Sequence, residues 1–276
     1  MIVEAHAKLN LTLEVLGKRE DGYHEIRSVI RSLALHDLVE VELATEIDVV
    51  CDVEGLGGES NLAFRAAELL REATGTPLGA RISIRKFIPV AAGLGGGSSD
   101  AAATLRALNR LWQTHLNAID LSVLAAELGS DVPFFLVGGT SLAQGRGEVV
   151  SRLPEQGDCQ VVLVNPGFGV STAEIYGGVT SSMYSSGEAS SRFVELPTDY
   201  PVAQWPLVNA LHPVTISLYP EVAEILEYMQ SWGAVQTQMC GSGPTCFGLF
   251  LEPARATAAV HAAATHRWRA WHTHFF

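Results

Sequence analysis

Residues 89–103 read PVAAGLGGGSSDAAA, and the meaning of this stretch decides the fold. Gly93, Gly95, Gly96 and Gly97 leave the backbone bare, so successive N–H groups can converge on an anion. The start of a following helix adds unpaired donors and a partial positive charge. Upstream, Arg81 to Phe87 reads as a strand; downstream, AAATLRALNRLW is rich in helix formers. Strand, glycine loop, helix is the layout of a phosphate cradle. It is not a Walker A loop, because no Gly-Lys-Ser/Thr closes it. Nor is it the dinucleotide fingerprint, because Ser98 stands where the third glycine of GxGxxG would fall. Taken alone, the loop could also be a flexible connector with a serine as helix N-cap.

Working outward, Leu9, Leu11, Leu13 and Val15 alternate with Lys8, Asn10, Thr12 and Glu14, which predicts one half-buried strand with Lys8 and Asn10 on its polar face. Ser60 precedes NLAFRAAELLREATG, a helix that stops near Gly75. LSVLAAEL is a second helix ending at Gly129, and SDVPFFL restarts behind a Ser and an Asp. The chain is turn-rich from Gly145 to Pro154, after which CQVVLVNP reads as a buried strand, so the division expected is 1–153 and 154–276. The second part continues with a helix at Glu221 to Trp232 and a strand at Val235 to Met239. The turn CGSG, a strand at Cys246 to Leu251, an Ala-rich helix and a last strand at Trp271 to Phe276 complete it. That order predicts an α+β chain whose second domain is a split βαβ, ferredoxin-like unit with extra helices. Residues 180–192, TSSMYSSGEASSR, are poor in apolar side chains and predict a mobile surface loop.

Composition sets outer bounds. With 276 residues, 47% of them hydrophobic, the chain can bury two modest cores. A formal net charge of −12 disfavours a nucleic-acid binder, so any phosphate must be gripped locally. Cys51, Cys159, Cys240 and Cys246 form no CxxC pair, which fits reduced thiols rather than a metal or disulfide framework. Glu4 and Lys8 interrupt the place of a signal-peptide core, and no run of about 18 apolar residues occurs, so a cytoplasmic chain without membrane partners is expected.

Four blocks, in order, resemble the GHMP small-molecule kinases. They are AKLNLTLEVLGKREDGYHEIRSV at 7–29, the glycine loop, GSDVPFFLVGGTSLAQGRGE at 129–148 and MCGSGPTCF at 239–247. The longer glycine loop and the DGYHEI turn are similar to the branch that acts on a cytidine-diphosphate-linked methylerythritol. The resemblance implies the GHMP kinase fold: an N-terminal domain like the second domain of ribosomal protein S5 packed on a ferredoxin-like C-terminal domain, with the active site between them. It also implies transfer of the γ-phosphoryl group of ATP to the 2-hydroxyl of the methylerythritol moiety, in non-mevalonate isoprenoid synthesis.

By the same resemblance, Lys8 and Asp131 are the catalytic pair. Pro89, Val90, Ala91, Ala92, Gly93, Leu94, Gly95, Gly96, Gly97, Ser98 and Ser99 hold ATP, with Asn61 and Lys86 beside the adenine. Asn10, Tyr23, His24, Thr172 and Tyr176 join Asp131 at the substrate, the aromatic rings facing the cytidine. Cys240 stands where Ser or Thr is common before GSG. Mg²⁺ is expected from the chemistry; Ser99 is a candidate ligand, and the motifs show no obvious second carboxylate. Asp131 could equally cap the helix that follows it. Other readings are a homoserine, mevalonate or sugar kinase of the same superfamily, or a non-catalytic nucleotide-binding protein; a monomer and a homodimer are both compatible.

Overall fold

The computed structural model describes all 276 residues. The chain builds two sheets. The first contains β1 (Ile2–Asn10), β2 (Thr12–Lys18), β3 (His24–Ala44), β4 (Asp48–Cys51), β5 (Gly79–Arg85), β6 (Thr140–Gly145) and β7 (Val149–Arg152), and a short later strand, β9 (Val208–Asn209), joins it. β3 is its spine: at 21 residues it is long enough to pair antiparallel with β1, β2, β5 and β6 at successive registers.

Four helices cover this sheet: α1 (Leu62–Thr74), α2 (Gly96–Leu111), α3 (Ala118–Leu128) and α4 (Val132–Val137). Their apolar stripes meet Val39, Val41, Ala80 and Ile82 of the strands in one core. Asn61, rather than Ser60, caps α1, accepting from the Ala63 N–H at 2.8 Å, and Gly75 ends the helix at φ 66°. α2 begins at Gly96, so half of the glycine stretch is helical; the sequence alone suggested a longer irregular loop.

The second sheet has β8 (Gln160–Asn165), β10 (Gln236–Met239), β11 (Cys246–Phe250) and β12 (Arg269–His274), all antiparallel in the order β10-β11-β8-β12. With α8 (Glu221–Ser231) before β10 and α9 (Pro253–Ala263) before β12, this is the expected split βαβ arrangement. α5 (Thr172–Gly177), α6 (Glu188–Val194) and α7 (His212–Leu218) are the extra helices.

Both faces of β8 are buried: Val162 and Val164 pack under the second sheet's helices, while Val161 and Leu163 join a core shared with Ala7, Leu9, Leu11, Val29 and Leu33 of the first sheet. Burying each large aliphatic chain contributes about 1.5–3 kcal/mol, so this seam fixes the two sheets against each other.

Two expectations are corrected. The alternating stretch from Lys8 to Val15 is split between β1 and β2 at Leu11, and its polar face is buried, with Lys8, Asn10 and Glu14 each 4% exposed. Burial is tolerated because the polar atoms find partners inside. Glu14, for example, accepts from the Ser190 N–H at 2.8 Å. That bond also explains the second correction. Residues 180–192 are not simply a surface loop, since a 3₁₀ turn at Ser181–Met183 leads into α6, which buries Ser190 and Phe193 completely against β2 and β3.

Candidate active site

A cleft of about 1000 Å³ opens where the two sheets meet. On one side the chain turns from β5 through Lys86 into the glycine loop. Gly95 is the N-cap of α2 at φ 74° and offers no side-chain cap, so the N–H groups of Gly96, Gly97 and Ser98 start the helix without intrahelical partners. Free donors at a helix start of this kind suit an anion. The capping serine of the alternative reading is absent from this role.

The loop's shape is set by contacts from the second half of the chain. A Cβ on Gly93 (φ 78°) would fall onto the Cys240 carbonyl oxygen, and one on Gly241 would lie 3.1 Å from the Gly93 carbonyl. The two glycine turns therefore touch backbone to backbone, an approach that only glycine permits. Ala91, a non-glycine residue at φ 52°, is held in that conformation beside Gly169, where an added Cβ would sit 2.8 Å from its own. Gly95 has a different constraint: its Cβ direction points at the Phe135 ring rather than into the cleft.

β1 brings Lys8 to the floor. Its backbone N–H donates to the Leu94 carbonyl at 3.0 Å, tying strand to loop. Its Nζ donates to Asn10 Oδ1 at 2.8 Å and lies 3.6 Å from Asp131 Oδ2. Asn10 is fixed in turn by donating from Nδ2 to Ser28 Oγ at 2.8 Å. Asp131 occupies the N-cap position of α4, yet its carboxylate makes no capping hydrogen bond; it is 42% exposed and faces the cleft and Lys8. The capping alternative therefore fails. An ammonium that is 5% exposed, held between an amide oxygen and an open carboxylate, can neutralise charge developing on a transferring group.

Farther along the cleft, the His24 and Tyr176 rings stack with centroids 5.5 Å apart and 29° between planes, and Tyr184 meets His24 edge-on at 6.4 Å. Burial, with a smaller push from the Asp131 charge, raises the Tyr176 phenol above its ordinary range; burial and the nearby Lys18 lower the His24 imidazole, which favours its neutral form. Tyr23 stands apart: it is 51% exposed, and the Arg146 guanidinium covers its ring at 4.8 Å. Thr172 pairs with Ser242 through their hydroxyls at 2.9 Å, linking α5 to the CGSG turn. Burial pushes the Cys240 thiol up to about 12, so it is inert, and the turn keeps its shape through backbone bonds from Cys240 to Thr245 and from Gly243 to Cys240.

The cleft thus gathers nearly every residue singled out above. Lys8, Asn10, Tyr23, His24, Asn61, Lys86, Asp131, Thr172 and Tyr176 line it, with the loop from Pro89 to Ser98 except Leu94. Leu94 is core, 1% exposed. Ser99 is buried on the other side of the α2 turn, against a smaller cavity that also meets Arg31 and Arg106, so it does not reach the cleft. Asn61 spends its side chain on local structure, capping α1 and donating to the Leu56 carbonyl. Lys86 is likewise engaged: its Nζ binds Asp37 and, at 2.6 Å, Asp100 Oδ2. Burial opposes the charge on Lys86, but the two carboxylates outweigh it and raise the ammonium's pKa.

Sequence reasoning missed Asp37 and Asp100. Asp100 was in the quoted stretch, and Asp37 lies in β3 among the apolar residues Leu33, Leu35, Leu38 and Val39, a weak signal in a strand that also carries other charged residues. Asp100 Oδ1 is buried with no hydrogen-bond partner and the residue lines the cleft near Ser98. Arg146 and Lys18 were missed as well. They line the cleft with Lys8, so a chain of net charge −12 concentrates cations here.

Residues 61–139 match the GHMP kinases N terminal domain and residues 203–269 the GHMP kinases C terminal region. A 4-diphosphocytidyl-2-C-methyl-D-erythritol kinase of Pelotomaculum thermopropionicum is 50% identical, with 92% of this chain and 91% of the relative covered. One from Geobacillus kaustophilus is 45% identical, with 92% and 89% covered. The crystal structure of a 4-(cytidine 5'-diphospho)-2C-methyl-D-erythritol kinase superposes with a TM-score of 0.84 at 37% identity, covering 100% of this chain and 99% of that one. The Methanococcus jannaschii mevalonate kinase, at 14% identity and a TM-score of 0.74 over 100% and 98% of the chains, shares the fold. Site, fold and whole-length similarity agree: the chain belongs to the GHMP kinases, in the 4-diphosphocytidyl-2-C-methyl-D-erythritol kinase family.

Proposed function

We propose that the chain transfers the γ-phosphoryl group of ATP to the 2-hydroxyl of 4-diphosphocytidyl-2-C-methyl-D-erythritol, a cytoplasmic step toward isoprenoid precursors. The observation that carries this is the position of the Lys8–Asp131 pair between the open end of α2 and the His24–Tyr176 stack. Residues 1–153 supply the nucleotide end and residues 154–276 complete the substrate end. The four cysteines are free, as a reducing compartment would keep them, and no helix is long and apolar enough to cross a membrane.

In this reading the donors of Gly96, Gly97 and Ser98 hold the ATP phosphates. Asn10 and Asp131 orient the acceptor alcohol. As the alcohol oxygen bonds to the γ-phosphorus and the bond to the ADP oxygen breaks, the hydroxyl proton passes to the Asp131 carboxylate. Lys8 faces the negative charge on the transferring group, and most of the rate comes from such positioning and charge stabilisation. Lys18 and, where its guanidinium leaves the Tyr23 ring, Arg146 would meet the substrate diphosphate, and Tyr176 gives the cytosine a stacking face. Mg²⁺ fits the residues present: Asp100 Oδ1 is a buried hard oxygen without a hydrogen-bond partner, and Asp100 and Ser98 both line the cleft, so these two would hold it. Bound there, it would neutralise the β- and γ-phosphate oxygens.

The test is ADP release by purified protein with MgATP and a panel of alcohols. Turnover is expected with diphosphocytidyl-methylerythritol; comparable turnover of homoserine, mevalonate or galactose would overturn the assignment. Within that assay, losing one stacking face costs on the order of 1–3 kcal/mol. Tyr176→Ala should therefore raise the apparent substrate constant roughly five- to two-hundred-fold, while Tyr176→Phe changes little. Equal damage from both would make the phenol, not the ring, the working part.

A further inference from the structure

We propose that Glu4, His6 and His36 form a binding site for a divalent cation of the zinc class on the first sheet, away from the cleft. Glu4 and His6 are two apart on β1 and so share a face, and His6 is directly opposite His36 in the β1–β3 register. Their ligand atoms all lie within 4.8 Å of one another.

The orientation of both imidazoles is fixed. His6 Nδ1 meets the Leu33 carbonyl at 2.9 Å and His36 Nδ1 meets the Ala34 carbonyl at 2.7 Å. A carbonyl can only accept, so each Nδ1 carries the proton, and in a neutral ring Nε2 is left with its lone pair. Both Nε2 atoms point at Glu4: His6 at 3.3 Å from Oε2 and His36 at 3.7 Å from Oε1. Phe276 stacks on His6, centroids 3.7 Å apart, and restrains the ring further. A histidine whose second nitrogen is anchored to a backbone carbonyl is the usual form of a metal-bound imidazole.

Both gaps exceed the about 2.7–2.9 Å of a tight charge-assisted N–H···O bond, so a small cation can enter between the three groups. Ligands about 2.0–2.1 Å from a tetrahedral zinc are separated by about 3.3 Å; the His6–Glu4 gap matches this, and a small rotation of the exposed Glu4 carboxylate can bring one oxygen to both imidazoles. Two nitrogens and one carboxylate suit Zn²⁺ or Co²⁺ better than Mg²⁺ or Ca²⁺. Glu4 is 53% exposed, which leaves an entry path and room for a water as fourth ligand. A bound ion would clamp β1 to β3 two residues before Lys8, at the irregular pairing between His6 and Lys8.

The experiment uses the untagged full chain, freed of metal by chelation and titrated with Co²⁺ and Zn²⁺ near neutral pH. One saturable Co²⁺ site is expected, with the visible absorption of a low-coordinate ion, displaced by Zn²⁺. Zn²⁺ should also raise the melting temperature. Glu4→Gln and His36→Ala should each weaken binding at least about tenfold and abolish the thermal shift; His272→Ala, elsewhere on the surface, should not. Glu4 is exposed, so Glu4→Gln settles the matter even where His36→Ala folds poorly. ADP release by Glu4→Gln without added zinc should match the parent. No saturable binding, or equal affinity in parent, Glu4→Gln and His36→Ala, would overturn the proposal.

Discussion

Replacing Asp131 by Asn is expected to lower turnover by about 10² to 10⁴, the range for loss of a positioned acid–base group, while both ligands still bind. Asn preserves the size of Asp and much of its hydrogen-bonding shape, but it cannot take the alcohol's proton and leaves Lys8 without its carboxylate neighbour at 3.6 Å. Dissociation constants for a non-hydrolysable ATP analogue and for the cytidine substrate should stay near those of the parent, because the lost interaction operates chiefly in the transition state. Stability should also hold, since the Asp131 side chain makes no capping bond to α4. The measurements are kcat from ADP release and calorimetric affinities on folded protein. Near-parental kcat would remove Asp131 from the chemistry and leave Lys8 as a purely electrostatic element.

Lys86→Met should act on stability, and in a pH-dependent way. Asp37 is fully buried and Asp100 is 3% exposed, and Lys86 is the ammonium between them. Removing one partner of a buried ionic group typically costs about 3–5 kcal/mol. Burial raises the Asp100 carboxyl, Lys86 pulls it down and Asp37 raises it again, leaving it at about 7. A carboxyl whose folded pKa lies above its unfolded value of about 3.8 binds its proton more tightly in the native state. The stability this gives is full below about pH 4 and is lost as pH rises toward about 7. Without Lys86 the folded value moves higher still, so the variant should be more destabilised at pH 8 than at pH 6. Denaturant melts at the two pH values test this. If Lys86 were mainly an adenine contact, the variant would melt like the parent at both and only its ATP constant would change.

The polar face of β1 and β2 shows where reading from sequence stops. Alternation from Lys8 to Val15 identified an extended segment and put Lys8 and Asn10 on one side. It could not show that this side is buried, because period-two alternation records side-chain chemistry, not what later packs on it. The cover comes from residues far away in the chain, such as Ser190, which donates to Glu14, and Leu94, which accepts from the Lys8 N–H. Residues 180–192 failed for the same reason: a segment with little apolar content folds when a buried carboxylate awaits it and the next residue, Phe193, has a pocket to fill.

The features legible in residue order are local and periodic. The helix that stops at Gly75, the strand-loop-helix around Gly93 and the split βαβ order follow from propensity, spacing and motif, while the candidate site residues come from the family resemblance. Tertiary structure alone decided the rest. It pressed Gly93 against Cys240 and Gly241, engaged Lys86 with Asp37 and Asp100, turned Ser99 away from the cleft, and paired Tyr176 with His24 while Arg146 covered Tyr23. The physical reason is range: each of those outcomes depends on atoms distant in sequence brought within a few ångströms by two sheets packing. Burial then sets which charges survive, which polar atoms go unsatisfied and which backbone must lack a side chain.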